Sequence, residues 1–372
     1  MRGGERVLES LANIFPQARL FTLLKTTRLS PVIEALDCTC SPAQKLPWLA
    51  RYYRHYLPLF PWAINRLDLE GFDLIVSCSH CVAKAAPAPA GALHLAYILT
   101  PMRYVWDLYP LYFGPGRNPL VRAVMAPTAA WLRGWDRRTA CRPDRLIAIS
   151  GHIAGRIRRH WGREAEVIHP PVETGRFYRA SPQDYYLVVS ALTPYKGVEL
   201  AVATANQRRF RLIIAGEGPE RDRLASLAGE TVEFVGRVSD EEIAGLMAHC
   251  RAFIFPGEED FGLTPVEAMA AGKPVIAYGR GGVCDSIIPI NPAGPPLQEP
   301  AASEGPPTGV FFYQPTPQAL GQALDLFEAD PNRFDPQAAQ ARALLFDRSV
   351  FEDRFKAMAV RAWAGRTNRR VF

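Results

Sequence analysis

Between Tyr186 and Ala277 short apolar runs alternate with helical stretches, and that alternation limits the fold more than any other feature of the chain. Tyr186–Ser190, Arg211–Ala215, Val232–Val235 and Ala252–Phe255 have the length and content of buried strands. Lys196–Asn206, Pro219–Leu227 and Asp240–His249 lie between them and read as helices. Strands joined through helices cannot be hairpins, so their neighbours run parallel and their sheet is covered on both faces. The first half repeats the pattern. Glu5–Phe15 reads as helix, Arg19–Leu24 as strand, and Leu46–Leu67 as largely helical with proline interruptions. Asp73–Ser77 and His94–Leu99 are strands, Leu120–Cys141 is a long helix, and strand Arg145–Ser150, helix Ile153–Trp161 and strand Glu166–His169 follow. Length agrees, since 372 residues suffice for two α/β domains. Sheets of this kind take ligands at the carboxyl ends of their strands.

The segment from Phe255 to Ala277 lies at such an end. It reads as strand, acidic loop, short helix, glycine stop and strand. Thr264 suits a helix N-cap, Pro265 the first helical position and Glu267 the third. Gly272 suits the C-terminal cap, and Pro274 blocks continuation. Two readings of Thr264-x-x-Glu267 stay open. In one, Glu267 bonds back to the Thr264 backbone as a capping box. In the other, the amides of Gly262, Leu263 and Thr264 face a phosphate, while Glu259 and Glu267 accept hydrogen bonds from sugar hydroxyls.

The wider motif set carries a resemblance. Glu259 and Glu267 with seven residues between them, followed by Ala268-Met269-Ala270-Ala271-Gly272-Lys273-Pro274-Val275-Ile276-Ala277, resemble the donor-site signature of family 4 glycosyltransferases. Ser190-Ala191-Leu192-Thr193-Pro194-Tyr195-Lys196-Gly197, Gly216-Glu217-Gly218-Pro219 and Val235-Gly236-Arg237-Val238-Ser239-Asp240-Glu241-Glu242 match in order and spacing. Thr100-Pro101-Met102-Arg103-Tyr104-Val105-Trp106-Asp107 is similar to a mannosyltransferase-like branch acting in O-antigen and exopolysaccharide assembly. The resemblance implies a GT-B fold: two doubly wound parallel-sheet domains facing a cleft. Residues 1–169 would form the acceptor-side domain and 170–345 the nucleotide-sugar domain. The final helix in 346–372 would return to the first domain.

It also implies roles. Lys196 contacts the donor diphosphate, with the amides of Gly262, Leu263 and Thr264 as a second anchor. Glu267 holds the ribose, Glu259 contacts the transferred sugar near its reacting carbon, and Gly236, Arg237 and Val238 lie under the base. Gly3 and Gly4 let backbone approach the diphosphate. On the acceptor or sugar side, His80, Arg103, Tyr104 and Asp107 are the candidates. No cofactor or metal is expected, because fixed cations and helix ends take the phosphate charge. Two departures from the pattern stand out. Ala191 occupies the usual position of an arginine, for which Arg280 is a candidate substitute. Leu99 replaces the branch's histidine, and leucine cannot hydrogen-bond. The chain also enters its first helix directly after Met1-Arg2-Gly3-Gly4, so the first domain is expected to lack its opening strand, with an internal or misassigned start as the explanation.

Composition supplies the rest. The net charge of +6 favours an anionic partner. Nucleic acid is not expected, since no groove-reading motif or base-stacking platform accompanies the charge. Seven irregularly spaced cysteines and the lack of a visible signal peptide fit a reducing cytosol, and Cys78-Ser79-His80-Cys81 has no second Cys/His pair to complete a zinc site. Aromatic residues and arginines interleave in Trp48–Leu67 and again in Arg117–Arg145, a composition suited either to core packing with a basic outer face or to an anionic membrane surface. Ile288–Pro307, rich in proline and glycine, reads as a surface insertion. The expected protein is therefore a cytoplasmic hexosyltransferase at the inner membrane face. It would move mannose from GDP-mannose, with retention, to a lipid-linked or polysaccharide acceptor. A GT-B sugar-nucleotide epimerase and a catalytically weak nucleotide-binding relative are the alternatives.

Overall fold

The computed structural model describes residues 3–25, 29–116, 118–290 and 304–367. The chain divides into two compact units, Met1–Pro171 together with Phe351–Phe372, and Val172–Val350.

In the first unit, β3 (Leu74–Ser79), β4 (Leu93–Ile98), β5 (Arg145–Ala148) and β6 (Glu166–Val167) form a parallel sheet in that order. β1 (Leu20–Thr22) and β2 (Cys38–Cys40) form a separate parallel pair. All six residues of β4 are buried, which explains its near-continuous apolar sequence. Two of its side chains carry polar groups. His94 meets Ser77 of β3 with Nε2 at 2.9 Å from Oγ, the His94 backbone N–H donates to Asp144 at 2.8 Å, and the Tyr97 hydroxyl donates to the Ile168 carbonyl at 2.9 Å. The last helix, Arg348–Thr367, closes on this unit through aromatic edges. Tyr97 of β4 packs T-shaped against Phe351 at 5.6 Å and Phe355 at 6.2 Å, and Phe355 also meets Phe15 at 6.4 Å. Arg354 donates to the Val167 carbonyl at 2.9 Å.

In the second unit β7 (Tyr186–Val189), β8 (Leu212–Ala215), β9 (Val232–Gly236), β10 (Ala252–Phe255), β11 (Val275–Tyr278), β12 (Pro289–Ile290) and β13 (Gly309–Phe312) form one sheet. The order is β12-β13-β11-β10-β7-β8-β9, parallel throughout. The chain steps outward from β7 to β9, then returns to lay β10 on the other side of β7. That reversal creates a crevice at the carboxyl ends of β7 and β10. Val188, Ile214, Ile254 and Ile276 pack under helices Val198–Arg208 and Pro317–Ala329, whose inward residues include Ala201, Val202, Leu320 and Phe327.

Local chemistry explains where expected elements differ. The stretch expected to be one helix from Leu46 is short pieces, Leu49–Tyr52, the 3-10 turn Tyr53–Leu59 and Phe60–Ile64, because Pro58 and Pro61 interrupt the ladder. Strand β2 and the helices Tyr109–Phe113 and Pro336–Leu344 had no expectation; they are too short or too alanine-rich to show a clear period. Of the expected insertion Ile288–Pro307, residues 291–303 lie outside the described residues, and its start adds β12 to the sheet edge.

Candidate functional site

The crevice of the second unit is built by loops that touch through backbone. Gly197, at φ +67°, follows the 3-10 turn Pro194–Lys196, and a Cβ there would stand 2.7 Å from the Pro256 carbonyl oxygen. A Cβ on Gly257 would stand 2.5 Å from the Lys196 carbonyl oxygen. Only glycine at both positions allows the β7 and β10 loops to approach this closely. The contact brings Lys196 and Glu259 together as an ion pair between Nζ and Oε1, with both side chains partly exposed. The Lys196 ammonium also lies 5.4 Å from the Tyr195 ring centroid. Lys196 was expected at a helix start; it ends the 3-10 turn, and the helix begins at Val198.

The helix after β10 corrects the expected cap. It runs Leu263–Ala270, its N-cap is Gly262 at φ +88°, and no side chain caps it. Thr264 is therefore the second helical residue rather than the cap, and Glu267 is the fifth. The capping box does not form, since Glu267 lies too far along the helix to reach the cap amide. Gly262 takes the cap because the chain must turn there through a left-handed conformation that threonine rarely adopts. The first-turn N–H groups of Leu263 and Thr264, both partly exposed, have no acceptor within their own helix. Glu267 is 5% exposed on the same helix. The far end matches its expectation: Gly272 at φ +72° donates to Met269 O at 2.8 Å and Lys273 to Ala268 O at 3.0 Å, a Schellman stop.

Around this centre, Gly236 (φ +70°) ends β9 and is buried, Arg237 is exposed and Val238 half-buried. The acidic run after them caps the next helix through a reciprocal Ser239–Glu242 box. Ala191 is exposed. Arg280, the candidate for its missing cation, pairs with Glu258 at 3.0 Å. The Glu259 carbonyl accepts from the Gly282 N–H at 2.8 Å, which ties the acidic loop to the turn after β11. These last two contacts had no signal in the sequence, because neither pairing partner is a fixed distance away along the chain.

The candidates of the first unit form a separate set. Gly3 and Gly4 open helix Gly3–Ile14, and a Cβ on Gly4 would lie 3.1 Å from the Leu99 side chain. His80 follows β3 and is exposed at the surface. Tyr104 and Asp107, expected to touch sugar or acceptor, have internal partners. The Tyr104 hydroxyl donates to Cys81 Sγ at 2.7 Å. Asp107 pairs with Arg156 and lies 3.1 Å from His160 Nε2, and Arg156 also donates to Thr100 at 3.1 Å. Partial burial works to raise the Asp107 pKa, but His160 and Arg156 outweigh it and hold the carboxyl below the ordinary range. Trp106 stacks on His160 at 4.5 Å and donates to Asp136 at 2.8 Å. Asp136 in turn pairs with Lys84 at 2.8 Å, and neither side chain has any exposure. This chain of contacts was not legible in the sequence, because it links residues 84, 107, 136 and 156, which only the tertiary fold brings together. Burial pushes the Cys78 and Cys81 thiols up to about 12.

The two halves of the chain each match a described family. Residues 1–176 match Glycosyltransferase Family 4, and residues 176–343 match Glycosyl transferases group 1. The two matches are consecutive and together span residues 1–343, so the chain is similar over nearly its whole length to family 4-type glycosyltransferases. GDP-mannose-dependent alpha-mannosyltransferases of Mycolicibacterium smegmatis and Mycobacterium tuberculosis are 33% and 35% identical to it. The matches cover 44% and 59% of this chain and 47% and 60% of theirs. The chain thus spans about half the length of the curated relatives it matches. The crystal structure of Anabaena HepE with UDP and glucose aligns over 96% of both chains with a TM-score of 0.68 at 18% identity. That likeness shows the fold, GT-B with two Rossmann-like parallel-sheet domains.

Proposed function

We propose that this family 4-type chain transfers a hexose from a nucleotide sugar to a lipid-linked or polysaccharide acceptor, with retention, in cell-surface polysaccharide assembly of the O-antigen or exopolysaccharide kind. The observation that carries this reading is the convergence of Lys196, Glu259 and the first turn of helix Leu263–Ala270 at the carboxyl ends of β7 and β10. Bond breaking at the anomeric carbon builds negative charge on the departing diphosphate. Lys196 and the amides of Gly262, Leu263 and Thr264 take that charge, and no metal ion takes part. A bound diphosphate competes with Glu259 for the Lys196 ammonium. The carboxylate so released accepts hydrogen bonds from the sugar. Glu267 holds the ribose, and the turn Gly236-Arg237-Val238 receives the base.

Mannose from GDP-mannose is the proposed donor, supported by the likeness to the two GDP-mannose-dependent mycobacterial relatives. The competing donor is a UDP-sugar, the class bound in HepE. Calorimetric titration with GDP-, UDP- and ADP-sugars tests the reading on wild type, Glu267→Gln and Glu267→Ala. Tight binding of one nucleotide class, lost in both variants, is the expected result. Binding indifferent to both substitutions overturns the site. Sugar conversion without added acceptor would point to epimerisation instead.

A further inference from the structure

Glu217 leaves the carboxyl end of β8, between the loop after β7 and the end of β9. Backbone contacts fix it from both sides. The Glu217 carbonyl accepts from the Leu192 N–H at 3.0 Å, and the Gly216 N–H donates to the Gly236 carbonyl at 2.7 Å. A Cβ on Gly216 would collide with the Ser190 carbonyl oxygen, and one on Gly218 with the Leu192 carbonyl oxygen. Glycine on each side of Glu217 is what lets these loops close on one another. The Glu217 side chain then lies against the turn that ends β9. Its Oε1 stands 3.0 Å from the place a Cβ on Gly236 would take, and the bare backbone of Gly236, at φ +70°, leaves that space open. Arg221, one helical turn on, brings its Nε to 3.6 Å from the same oxygen, and both side chains are about half-exposed. That separation is beyond hydrogen-bond length, so the carboxylate keeps lone pairs for a ligand. A carboxylate is thus held in place beside the turn Gly236-Arg237-Val238.

We infer that Glu217 reads the base of the nucleotide and selects guanine. The inference rests on the donor-site reading, which lays the base on that turn. An ionised carboxylate accepts hydrogen bonds through two neighbouring oxygens and donates none. Guanine alone among the common bases sets two donors side by side on one edge, N1–H and the N2 amino group. Uracil offers a single donor, N3–H, between two carbonyl oxygens that repel a carboxylate. Adenine and cytosine each set an amino group beside a ring nitrogen that only accepts. Guanine therefore gains two charge-assisted bonds from Glu217, and each other base leaves at least one lone pair facing another. Lys196, Glu267 and the first-turn amides of helix Leu263–Ala270 are assigned to the diphosphate and the ribose, which every nucleotide sugar shares. Selection among bases falls to the side chain at the β9 turn.

The full chain is titrated calorimetrically with GDP, with inosine diphosphate, which lacks the N2 amino group, and with UDP. Wild type binds GDP about tenfold or more tighter than inosine diphosphate, and UDP more weakly still. Glu217→Gln and Glu217→Ala lower GDP affinity by about tenfold to a hundredfold and leave UDP affinity within about threefold of wild type. The glutamine amide cannot accept both guanine donors, so it does not restore the preference. Both variants alter a half-exposed side chain and keep the wild-type melting temperature, so a loss of binding is not a loss of fold. Glu267→Gln is the control: it weakens all three nucleotides alike, because the ribose is common to them. GDP affinity unchanged in Glu217→Ala overturns the inference, as does a loss shared equally by GDP, inosine diphosphate and UDP. A wild type that prefers UDP, with binding lost in Glu267→Gln, also overturns it and leaves the donor site standing. Binding of every nucleotide indifferent to Glu267→Gln removes the donor-site reading and this inference with it.

Discussion

Removing the buried cation of the first unit tests whether its core polar chain positions the segment before Asp107. Lys84 and Asp136 are wholly buried, 2.8 Å apart, and Lys84 Nζ also donates to Thr139 Oγ1 at 3.1 Å. The ammonium stands 5.3 Å and 4.8 Å from the Trp135 and Trp161 ring centroids. Both Trp106 and Trp161 donate their indole N–H to Asp136 at 2.8 Å. Burial lowers the Lys84 pKa while Asp136 opposes that shift, so the pair gains little over an apolar replacement. Losing one partner is different, because it strands the other charge. Lys84→Met therefore costs about 3–5 kcal/mol. At about 2–4 °C per kcal/mol for a domain of this size, the first unit melts roughly 10 °C lower. All seven tryptophans lie in that unit, so thermal melting followed by tryptophan emission reports on it selectively. Lys84→Met/Asp136→Leu should recover most of the loss. Melting of Lys84→Met within about 2 °C of wild type refutes the argument, and so does a double variant no more stable than the single one.

Other outcomes follow from the same structure. Lys196→Gln leaves melting unchanged, since its ion pair is partly exposed, but weakens nucleotide-sugar affinity by about tenfold to a hundredfold in calorimetry, the worth of a charge-assisted contact. Unaltered affinity would remove Lys196 from the site. Gly257→Ala drives a Cβ toward the Lys196 carbonyl and should cost about 1–3 kcal/mol of second-unit stability, read by denaturant unfolding with circular dichroism. Burial, opposed by Asp144 and aided by Arg142, lowers the His94 pKa from 6.5 to about 4. Between those values the unfolded chain binds the extra proton, so stability present above pH 6.5 is lost as pH falls toward 4, by about 3 kcal/mol in all. His94→Gln should flatten that part of the pH–stability curve, measured by urea titration at a series of pH values; an unchanged slope would exclude His94 as its source.

What could be read along the chain was whatever repeats at short range. The strand–helix alternation established two parallel-sheet domains, since covered strands must be apolar at nearly every position. Gly272 as a helix stop was equally plain, because a Schellman turn requires a left-handed residue at one defined place. Gathering Lys196, Glu259 and Glu267 into one reading took the motif order rather than any local property. Local rules also misjudged the helix start. Thr264 is a better cap by residue type than Gly262, yet the turn leaving β10 needs positive φ at position 262, and that backbone demand overrides side-chain preference.

Sequence alone determined most element types, the doubly wound class and the positions of the loops that follow β7 and β10, because each depends on spacing within about twenty residues. Only the tertiary structure decided who meets whom: Lys196 with Glu259, Arg280 with Glu258, Asp107 with Arg156 and His160, Lys84 with Asp136. Those pairings join residues far apart in the chain. For Lys84 and Asp136 the partner is selected by burial, where a charge without a neighbour is too costly to keep; for the more exposed pairs it is selected by the loops the fold brings together, and both are properties of the folded whole.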